Sequence, residues 1–238
     1  MNIILFEKLQ EFNAIIRDDY RSKHIVNVLR LKEGETFKAG VINGAKGVAT
    51  IEKIDSTFIT FSFVKEESFA APFPLTLLVG QIRPICMKRI LRESASFGIS
   101  KLIAVGTDLG ERSYRDAKLY TEGEYKSYLL DGAMQSGETT VPQFELCESV
   151  DQVLKKEKDY KTKLVFDNLK GAKRVADLKA IEDPVIVAIG SERGFSDRER
   201  LLFAQNGYQV LSLGSRILRT ETACCSALAL LLSKMAPM

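Results

Sequence analysis

The sequence has too little histidine and cysteine for the usual protein metal sites. It contains one histidine, His24, and four cysteines, and no two of the cysteines form a Cys-x-x-Cys pair. Zinc sites are commonly built from such pairs together with histidines. Four cysteines are also too few for a disulfide scaffold, so we expect reduced thiols in a cytosolic protein that holds no metal.

The sequence also lacks export and membrane segments. Its first ten residues, M-N-I-I-L-F-E-K-L-Q, have neither a basic start nor a long apolar core, so they do not predict a signal peptide. The apolar run at 223–232 is too short to span a bilayer. We therefore expect a cytoplasmic protein with no membrane partner. The net charge of +3 does not exclude nucleic-acid binding, because local patches matter more than totals.

The C-terminal part has repeated strand and helix patterns but no G-x-G-x-x-G, which disfavours an ordinary dinucleotide fold. The apolar, β-branched run at 185–189 predicts a strand of a buried parallel sheet that ends at Gly190, and a second strand, 208–213, ends at Gly214. Ligands of open α/β sheets bind beyond the carboxyl ends of the strands, where glycine allows close backbone approach. The two glycines indicate a ligand site or, equally well, only tight turns.

The loops after these two strands resemble those of a known family. Gly190–Asp197 reads G-S-E-R-G-F-S-D and resembles G-P-E-G-G-F-S-D/E, with Ser191 for proline and Arg193 for glycine. Leu213–Ala223 reads L-G-S-R-I-L-R-T-E-T-A and matches L-G-x-R-I-L-R-T-E-T-A. The chain thus resembles the small-subunit 16S rRNA (uridine-N3) methyltransferases of the SPOUT superfamily. The resemblance implies an α/β domain with a deep trefoil knot, S-adenosylmethionine as cofactor, and a homodimer.

The first 70 residues predict a separate small β-barrel. Asn43-Gly44 is a strong hairpin signal, and the stretches 46–54 and 57–64 alternate in part as half-buried antiparallel strands do. Several short strands in so few residues are typical of a barrel. The proline-containing stretch 69–74 predicts a linker. We therefore expect a PUA-like RNA-binding domain at 1–70 and a SPOUT methyltransferase domain at 71–238.

The resemblance implies contacts to 16S rRNA from both domains. The stretch 24–32 resembles the H-x-x-x-V-L-R-L-K of the family's PUA-like domain, and E-R-S at 111–113 and Q-S-G at 135–137 match further family stretches. Glu93 and Glu138 stand where the family carries lysine and arginine. The expected RNA-binding residues are Arg21, Lys23, His24, Arg30, Arg83, Arg112 and Gln135. A solvated surface also accounts for the basic stretch and for Arg112, and a structural role accounts for a lone histidine.

The expected catalytic residues lie in the loop before the last helix. Arg216 and Arg219 are candidate cations for an oxyanion, and Glu221 is the candidate acceptor of the uridine N3 proton. Capping of the last helix is an equally weighted alternative for Glu221. The expected cofactor-binding residues are Phe166, Asp167, Ile189, Gly190, Glu192, Gly194, Leu213, Gly214, Ile217, Leu218 and Thr222.

The sequence therefore predicts a methyltransferase that uses S-adenosylmethionine to methylate N3 of a uridine in the 16S rRNA of the small ribosomal subunit. One alternative is a SPOUT RNA methyltransferase with another target, such as a ribose 2′-hydroxyl or another base. The other is a non-catalytic RNA-binding assembly factor. The substitutions at Glu93, Glu138 and Arg193 keep the second alternative open, and the intact loop 216–223 argues against it.

Overall fold

The chain forms two compact units, each with its own sheet. The computed structural model describes residues 2–66 and 70–235. Unit 1 comprises Met1–Ala71 and Ala133–Val141, and unit 2 comprises Pro72–Gly132 and Pro142–Met238. The segment 133–141, predicted for the second domain, is thus counted with the first unit. The start of the predicted linker, residue 69, lies outside the described residues, and its last two residues already belong to a strand.

Unit 1 is a curled five-stranded sheet, or half-barrel, which confirms the predicted small β domain in an open form. Its strands are β1 (Ile4–Phe6), β2 (Phe12–Ile16), β3 (Thr36–Val41), β4 (Lys46–Ile54) and β5 (Phe58–Lys65). The order is β1-β3-β4-β5-β2, and only β1 and β3 pair in parallel. A short helix, α1 (Tyr20–Lys23), continues into a π-helical turn at His24–Val28.

The β3–β4 hairpin turns at Asn43-Gly44, as the sequence predicts. Asn43 has a φ of 54°, a left-handed conformation that asparagine tolerates better than most residues. Its side-chain Oδ1 accepts a hydrogen bond of 2.8 Å from the backbone N–H of Val141. The turn is therefore held by the segment 133–141 of the same unit.

Unit 2 contains a six-stranded sheet in which every pairing is parallel, as predicted. Its strands are β6 (Phe73–Gly80), β7 (Ile99–Val105), β8 (Gln143–Cys147), β9 (Thr162–Phe166), β10 (Val185–Ile189) and β11 (Gln209–Leu211). The order is β11-β9-β10-β6-β7-β8. Every residue of β10 is buried, which is the physical reason for its continuous apolar sequence.

Among the described residues, six helices connect or follow these strands. They are α2 (Pro84–Ser96), α3 (Lys118–Thr121), α4 (Tyr125–Ser136), α5 (Val150–Lys156), α6 (Asp197–Gln205) and α7 (Thr220–Met235). Single 3₁₀ turns lie at Arg112–Asp116 and Val175–Asp177. Helix α7 packs against α2 and β10. Within the described residues, no helix combines the length and apolar character needed to cross a bilayer.

A partly buried ionic network joins β7 and β8 to the segment after α5. Lys101 Nζ contacts Glu157 at 2.5 Å and Glu145 at 3.1 Å. Lys156 Nζ adds a contact of 2.5 Å to Glu145, and the Tyr160 hydroxyl donates to Glu157 at 2.8 Å. Partial burial by itself would raise the pKa of Glu145, but the hydrogen bonds from Lys156 and Lys101 prevail and lower it to about 2.

This network predicts that Glu145 stabilises the fold at neutral pH and loses that contribution in acid. The pKa of Glu145 is about 2 in the folded chain, against an ordinary value of 4.5. A carboxyl whose folded pKa is depressed stabilises above its unfolded pKa and loses the effect as pH falls through the folded pKa. We expect Glu145→Gln to lower the free energy of unfolding by about 1–3 kcal/mol near pH 7. Urea unfolding across the pH range measures this.

The pH dependence separates this effect from a general loss of packing. The difference between wild type and Glu145→Gln should shrink steadily from about pH 5 downward. Glu122→Gln is the matched control, because Glu122 pairs with Lys118 at a site where both side chains are more than half exposed. A deficit for Glu145→Gln that stays constant down to low pH would contradict the ionic origin.

Candidate functional site

A cavity of about 860 Å³ lies in unit 2, beyond the carboxyl ends of the parallel strands. Its walls come from the start of α2, the turn after β7, and the loops after β9, β10 and β11. Parallel strands bring all of these segments to one edge of the sheet, which is the usual ligand position in open α/β folds. The volume falls within the roughly 300–1,000 Å³ of small-molecule sites.

The loop after β10 is a tight turn that requires glycine. A Cβ atom at Gly190 would lie 2.7 Å from the Cα and carbonyl carbon of Gly194. The backbone N–H of Gly194 donates to the carbonyl of Ser191 at 2.9 Å. A Cβ atom at Gly80, where β6 ends, would lie 2.4 Å from the Ser191 nitrogen. Gly190 therefore serves the turn itself, which was one of the two explanations of the strand-ending glycines.

Ser191, one of the two departures from the family motif, stabilises this turn. Its side chain is buried. Its hydroxyl accepts a hydrogen bond of 3.1 Å from the Thr107 hydroxyl and donates at 3.4 Å to the Gly194 carbonyl. The side chain therefore restrains the turn by hydrogen bonding where the family's proline restrains it by its ring.

The helix after this turn begins with the capping box that Ser196 and Glu199 form. The Glu199 carboxylate is fully buried. It accepts hydrogen bonds from the backbone N–H groups of Ser196 at 2.8 Å and Asp108 at 3.0 Å. Burial raises the pKa of Glu199, and the two backbone donors oppose that rise. Glu199 thus connects the start of α6 to the segment after β7, and both border the cavity wall.

Asp167 follows β9 at the cavity wall and is neutralised by an arginine. Its Oδ2 accepts a hydrogen bond of 2.8 Å from Arg200 Nε, and its side chain is 11% exposed. Arg200 also pairs with Asp197, whose side chain is 98% exposed. The predicted cofactor residue Asp167 therefore presents a compensated carboxylate to the cavity.

The loop between β11 and α7 forms another part of the cavity wall. Gly214 has a φ of 124°, and a Cβ atom there would meet nothing within 4 Å. The side chains of Arg216, Ile217 and Arg219 are exposed, and Ile217 is 86% exposed. Glu221 lies half-buried in the first turn of α7. Exposed cations and a half-buried carboxylate thus line the same wall.

Cys86, in the first turn of α2, lies close to Glu221. Burial raises the pKa of the Cys86 thiol, and the charge of Glu221 and a hydrogen bond to it raise it further. The thiol is therefore protonated at neutral pH. Nothing in the sequence pointed to Cys86 as a neighbour of Glu221, because the contact joins distant parts of the chain.

The structure brings most of the predicted cofactor and catalytic residues to this cavity. The predicted residues that line it are Phe166, Asp167, Ile189, Gly190, Glu192, Gly194, Leu213, Arg216, Ile217, Leu218, Arg219 and Glu221. In the described structure, Gly214 and Thr222 are not among the lining residues; both are exposed. Lining residues that the prediction omitted are Cys86, Leu109, Gly110, Glu111, Tyr114, Asn168, Ser191, Arg193, Thr220 and Ala223.

Two predicted RNA-binding residues of unit 2 lie at or beside the cavity. Arg83 lines it, and its backbone N–H donates to Glu192 Oε1 at 3.1 Å. The Tyr114 hydroxyl, followed by the charge of Glu192, raises the pKa of Arg83. Arg112 is exposed and directly follows Glu111, which lines the cavity. Both arginines are therefore accessible to a ligand that covers the cavity mouth.

The predicted RNA-binding residues of unit 1 differ in whether their side chains already have partners within the unit. Arg21 forms an ion pair of 2.7 Å with Asp19 and lies over the Phe6 ring, and Lys23 pairs with Asp18 at 2.5 Å. Burial lowers the pKa of His24. Its Nε2 is buried without a hydrogen-bond partner among the described residues.

The remaining two residues of that set are exposed. Arg30 is exposed, with a left-handed φ of 57°. Gln135 is exposed as well, and its backbone carbonyl accepts from the Asn2 side chain at 2.6 Å. These two side chains are free to contact an RNA, while those of Arg21 and Lys23 are engaged within the unit.

Comparison with known families and proteins gives a consistent set of relatives. A model described as an RNA methyltransferase domain matches residues 70–232, and one described as an RNA methyltransferase PUA domain matches residues 18–64. The chain is 39% identical to ribosomal RNA small subunit methyltransferase E of Treponema pallidum, over 98% of this chain and 91% of that protein. It is 31% identical to ribosomal RNA small subunit methyltransferase E 1 of Borreliella burgdorferi, over 99% of each.

Solved structures show the same fold at lower identity. A ribosomal RNA small subunit methyltransferase E from Neisseria gonorrhoeae, bound to S-adenosyl methionine, has a TM-score of 0.82 at 21% identity and covers 99% of this chain and 98% of that chain. A methyltransferase from Legionella pneumophila with bound cofactor has a TM-score of 0.83 at 23% identity, covering 98% of this chain and 97% of that chain. The predicted α/β fold with a preceding small β domain is thereby confirmed.

The Asp167–Arg200 pair gives a testable prediction. We expect Arg200→Ala to lower the free energy of unfolding by about 2–4 kcal/mol, because it leaves a nearly buried carboxylate without its cation. Asp197→Ala is the matched control: it removes only the exposed partner, so its effect should stay below about 1 kcal/mol. Denaturant unfolding of both variants measures this. Recovery of part of the loss in the double variant Arg200→Ala/Asp167→Asn would support the explanation, and equal losses in the two single variants would contradict it.

Proposed function

We propose, because this chain belongs to the ribosomal RNA small subunit methyltransferase E family, that it transfers a methyl group from S-adenosylmethionine to N3 of a uridine in 16S rRNA. The observation that carries the proposal is the loop 213–223, which matches the family motif along its whole length and supplies one wall of the cavity. Two relatives, 39% and 31% identical to nearly the whole chain, are named ribosomal RNA small subunit methyltransferase E and E 1.

The cavity residues suit S-adenosylmethionine in size and chemistry. Ile189, Leu213 and Leu218 offer apolar surface for an adenine ring, and the tight turn at Gly190–Gly194 brings backbone groups to the same wall. Glu192 and Glu221 add carboxylates that can attract a positively charged ligand. The exposed edge of the cavity is bordered by arginines, which suits an anionic second substrate.

When bound, S-adenosylmethionine supplies a methyl group that is already activated on a sulfonium, so this chain needs no nucleophilic side chain. The task of the protein is to hold the two reactants in line and to exclude water. The loops after β9, β10 and β11 bind the cofactor and orient it. Arg216 and Arg219 contact phosphate or stabilise negative charge that develops on the uracil ring.

The imide proton on N3 must leave during the reaction, and Glu221 accepts it. Glu221 is the half-buried carboxylate of the cavity wall, and Cys86 beside it is a protonated thiol that can donate a hydrogen bond. Glu192, by contrast, accepts from the Arg83 backbone and is exposed. The position of Glu221 in the cavity wall, directly after the loop that carries Arg216 and Arg219, therefore favours it as the proton acceptor.

The remaining features of the proposal concern assembly and topology. Unit 1 helps to bind rRNA through the stretch that ends with the exposed Arg30. The homodimer is proposed on the family resemblance, and the exposed apolar side chains of Ile217 and Leu230 are accessible to a second copy of the chain. A trefoil knot is supported by α7, which packs on α2 and β10 and whose Lys234 donates to the Val175 carbonyl in the segment between β9 and β10. The chain acts on ribosomal subunits in the cytoplasm.

The direct test is methyl transfer from tritiated S-adenosylmethionine to small ribosomal subunits that lack this enzyme. We expect label in 16S rRNA and 3-methyluridine as the product nucleoside in mass spectrometry. Arg219→Ala is the companion variant: it should keep the wild-type circular dichroism and lose about 10²–10³-fold in rate. A different methylated nucleoside would indicate a different methylation target. If neither methyl transfer nor cofactor binding in calorimetry is detected, a non-catalytic assembly factor is favoured.

The role of Glu221 predicts a pH-dependent defect. We expect Glu221→Gln to lower kcat by about 10²–10⁴-fold, since a glutamine cannot accept the imide proton. The loss should become smaller at alkaline pH, where solvent base can remove that proton. Glu192→Gln is the matched control and should retain the pH profile of the wild type. If Glu221 only caps α7, its variant would lose thermal stability and keep its kcat.

A further inference from the structure

The arginines of unit 2 divide into paired and unpaired groups by position. Those that form ion pairs with carboxylates are Arg92, Arg115, Arg174, Arg198 and Arg200. Those that line the cavity are Arg83, Arg193, Arg216 and Arg219. None of the cavity arginines forms an ion pair within the described part of the chain, and the same holds for the exposed Arg89 and Arg112. The cavity mouth thus carries guanidinium groups that have no ion-pair partner among the described residues.

Arg193 is the member of this group that the family motif does not account for. The G-P-E-G-G-F-S-D/E motif has glycine at this position, so the side chain is an addition of this chain. It lies at the tip of the tight Gly190–Gly194 turn, whose ends are joined by the Ser191–Gly194 bridge. The side chain is exposed. A rigid turn therefore holds an uncompensated guanidinium at the rim of the cavity.

Glu138 is a second departure that changes the charge available to an RNA. Glu138 stands where the family carries arginine, and in this chain it forms an ion pair of 2.7 Å with Lys46 within unit 1. Position 138 therefore offers no free positive charge to an RNA. Relative to the family motifs, this chain has no cation at position 138 and an additional cation at position 193.

We propose that Arg193 binds a phosphate of the rRNA backbone next to the target nucleotide. The inference rests on the proposed function, because it assigns the substrate of that site. A guanidinium binds phosphate oxygens bidentately, and each phosphate contact releases counterions from the RNA. Exposure at the rim favours a polyanion that covers the mouth over a small ligand held inside the cavity.

The test compares binding of wild type and Arg193→Ala to in vitro transcribed 16S rRNA by filter binding at several KCl concentrations. We expect the variant to bind about 5–10-fold more weakly at low salt. The slope of log affinity against log salt should decrease by about 1, as for the loss of one phosphate contact. Calorimetry with S-adenosylmethionine should give wild-type cofactor affinity. In methyl transfer, KM for the RNA should rise while kcat stays within about twofold.

Arg174→Ala is the matched control, because it removes a guanidinium that is 73% exposed and pairs only at 3.7 Å with Asp177. It should leave both affinity and salt slope unchanged. Wild-type RNA affinity and slope in Arg193→Ala would overturn the inference, and so would a parallel loss of cofactor affinity, which would place Arg193 on the cofactor. The binding assay needs no turnover, so a wild type that binds RNA and transfers no methyl would overturn the proposed function alone.

Discussion

The close backbone contact between the ends of β6 and β10 is the constraint on which the candidate site depends. At Gly80 and Gly190, any side chain would collide with the backbone of the turn 190–194. The two strands pair in parallel register along their length, so their carboxyl ends arrive together. Backbone atoms cannot move aside as a flexible side chain can, and the turn is therefore held at one position against the sheet.

Within unit 2, the buried carboxylates have partners that stabilise the fold, while the cavity arginines are exposed. Glu145 and Asp167 are partly or nearly buried, and each has cationic partners within hydrogen-bond distance. Glu199 is fully buried and accepts from backbone N–H groups instead. Burying a carboxylate without such partners would be strongly destabilising. The cavity arginines do not need such a partner, because they are exposed to solvent. Their charges remain available to an anionic substrate.

The departures from the family motifs have physical explanations that leave the site intact. Ser191 replaces a proline, and its hydroxyl bonds restrain the same turn. Glu138 replaces an arginine and is neutralised by Lys46. For Glu93, exposed on α2, nothing in the structure explains the change of charge. These departures therefore alter the charges offered to RNA and not the architecture that holds the cavity.

Local sequence determined the elements and the loops of this protein. The buried run that became β10 and the Asn43-Gly44 turn follow from residue chemistry within a few positions, so they could be predicted. The loop 213–223 indicated most of one cavity wall through its resemblance to the family motif. The edges of elements were less predictable: β11 is three residues long where six were expected, because pairing with β9, and not local propensity, decides where it ends.

Only the tertiary structure decided which distant residues share the site. Cys86, Tyr114 and Arg193 line the cavity because the sheet order brings the segments after β6, β7 and β10 to one edge. The pairing of Asp167 with Arg200, and the absence of such partners around the cavity arginines in the described chain, likewise arise from contacts across the fold. A sequence lists charges in order, but which of them are neutralised depends on distances in space, and the strand order sets those distances.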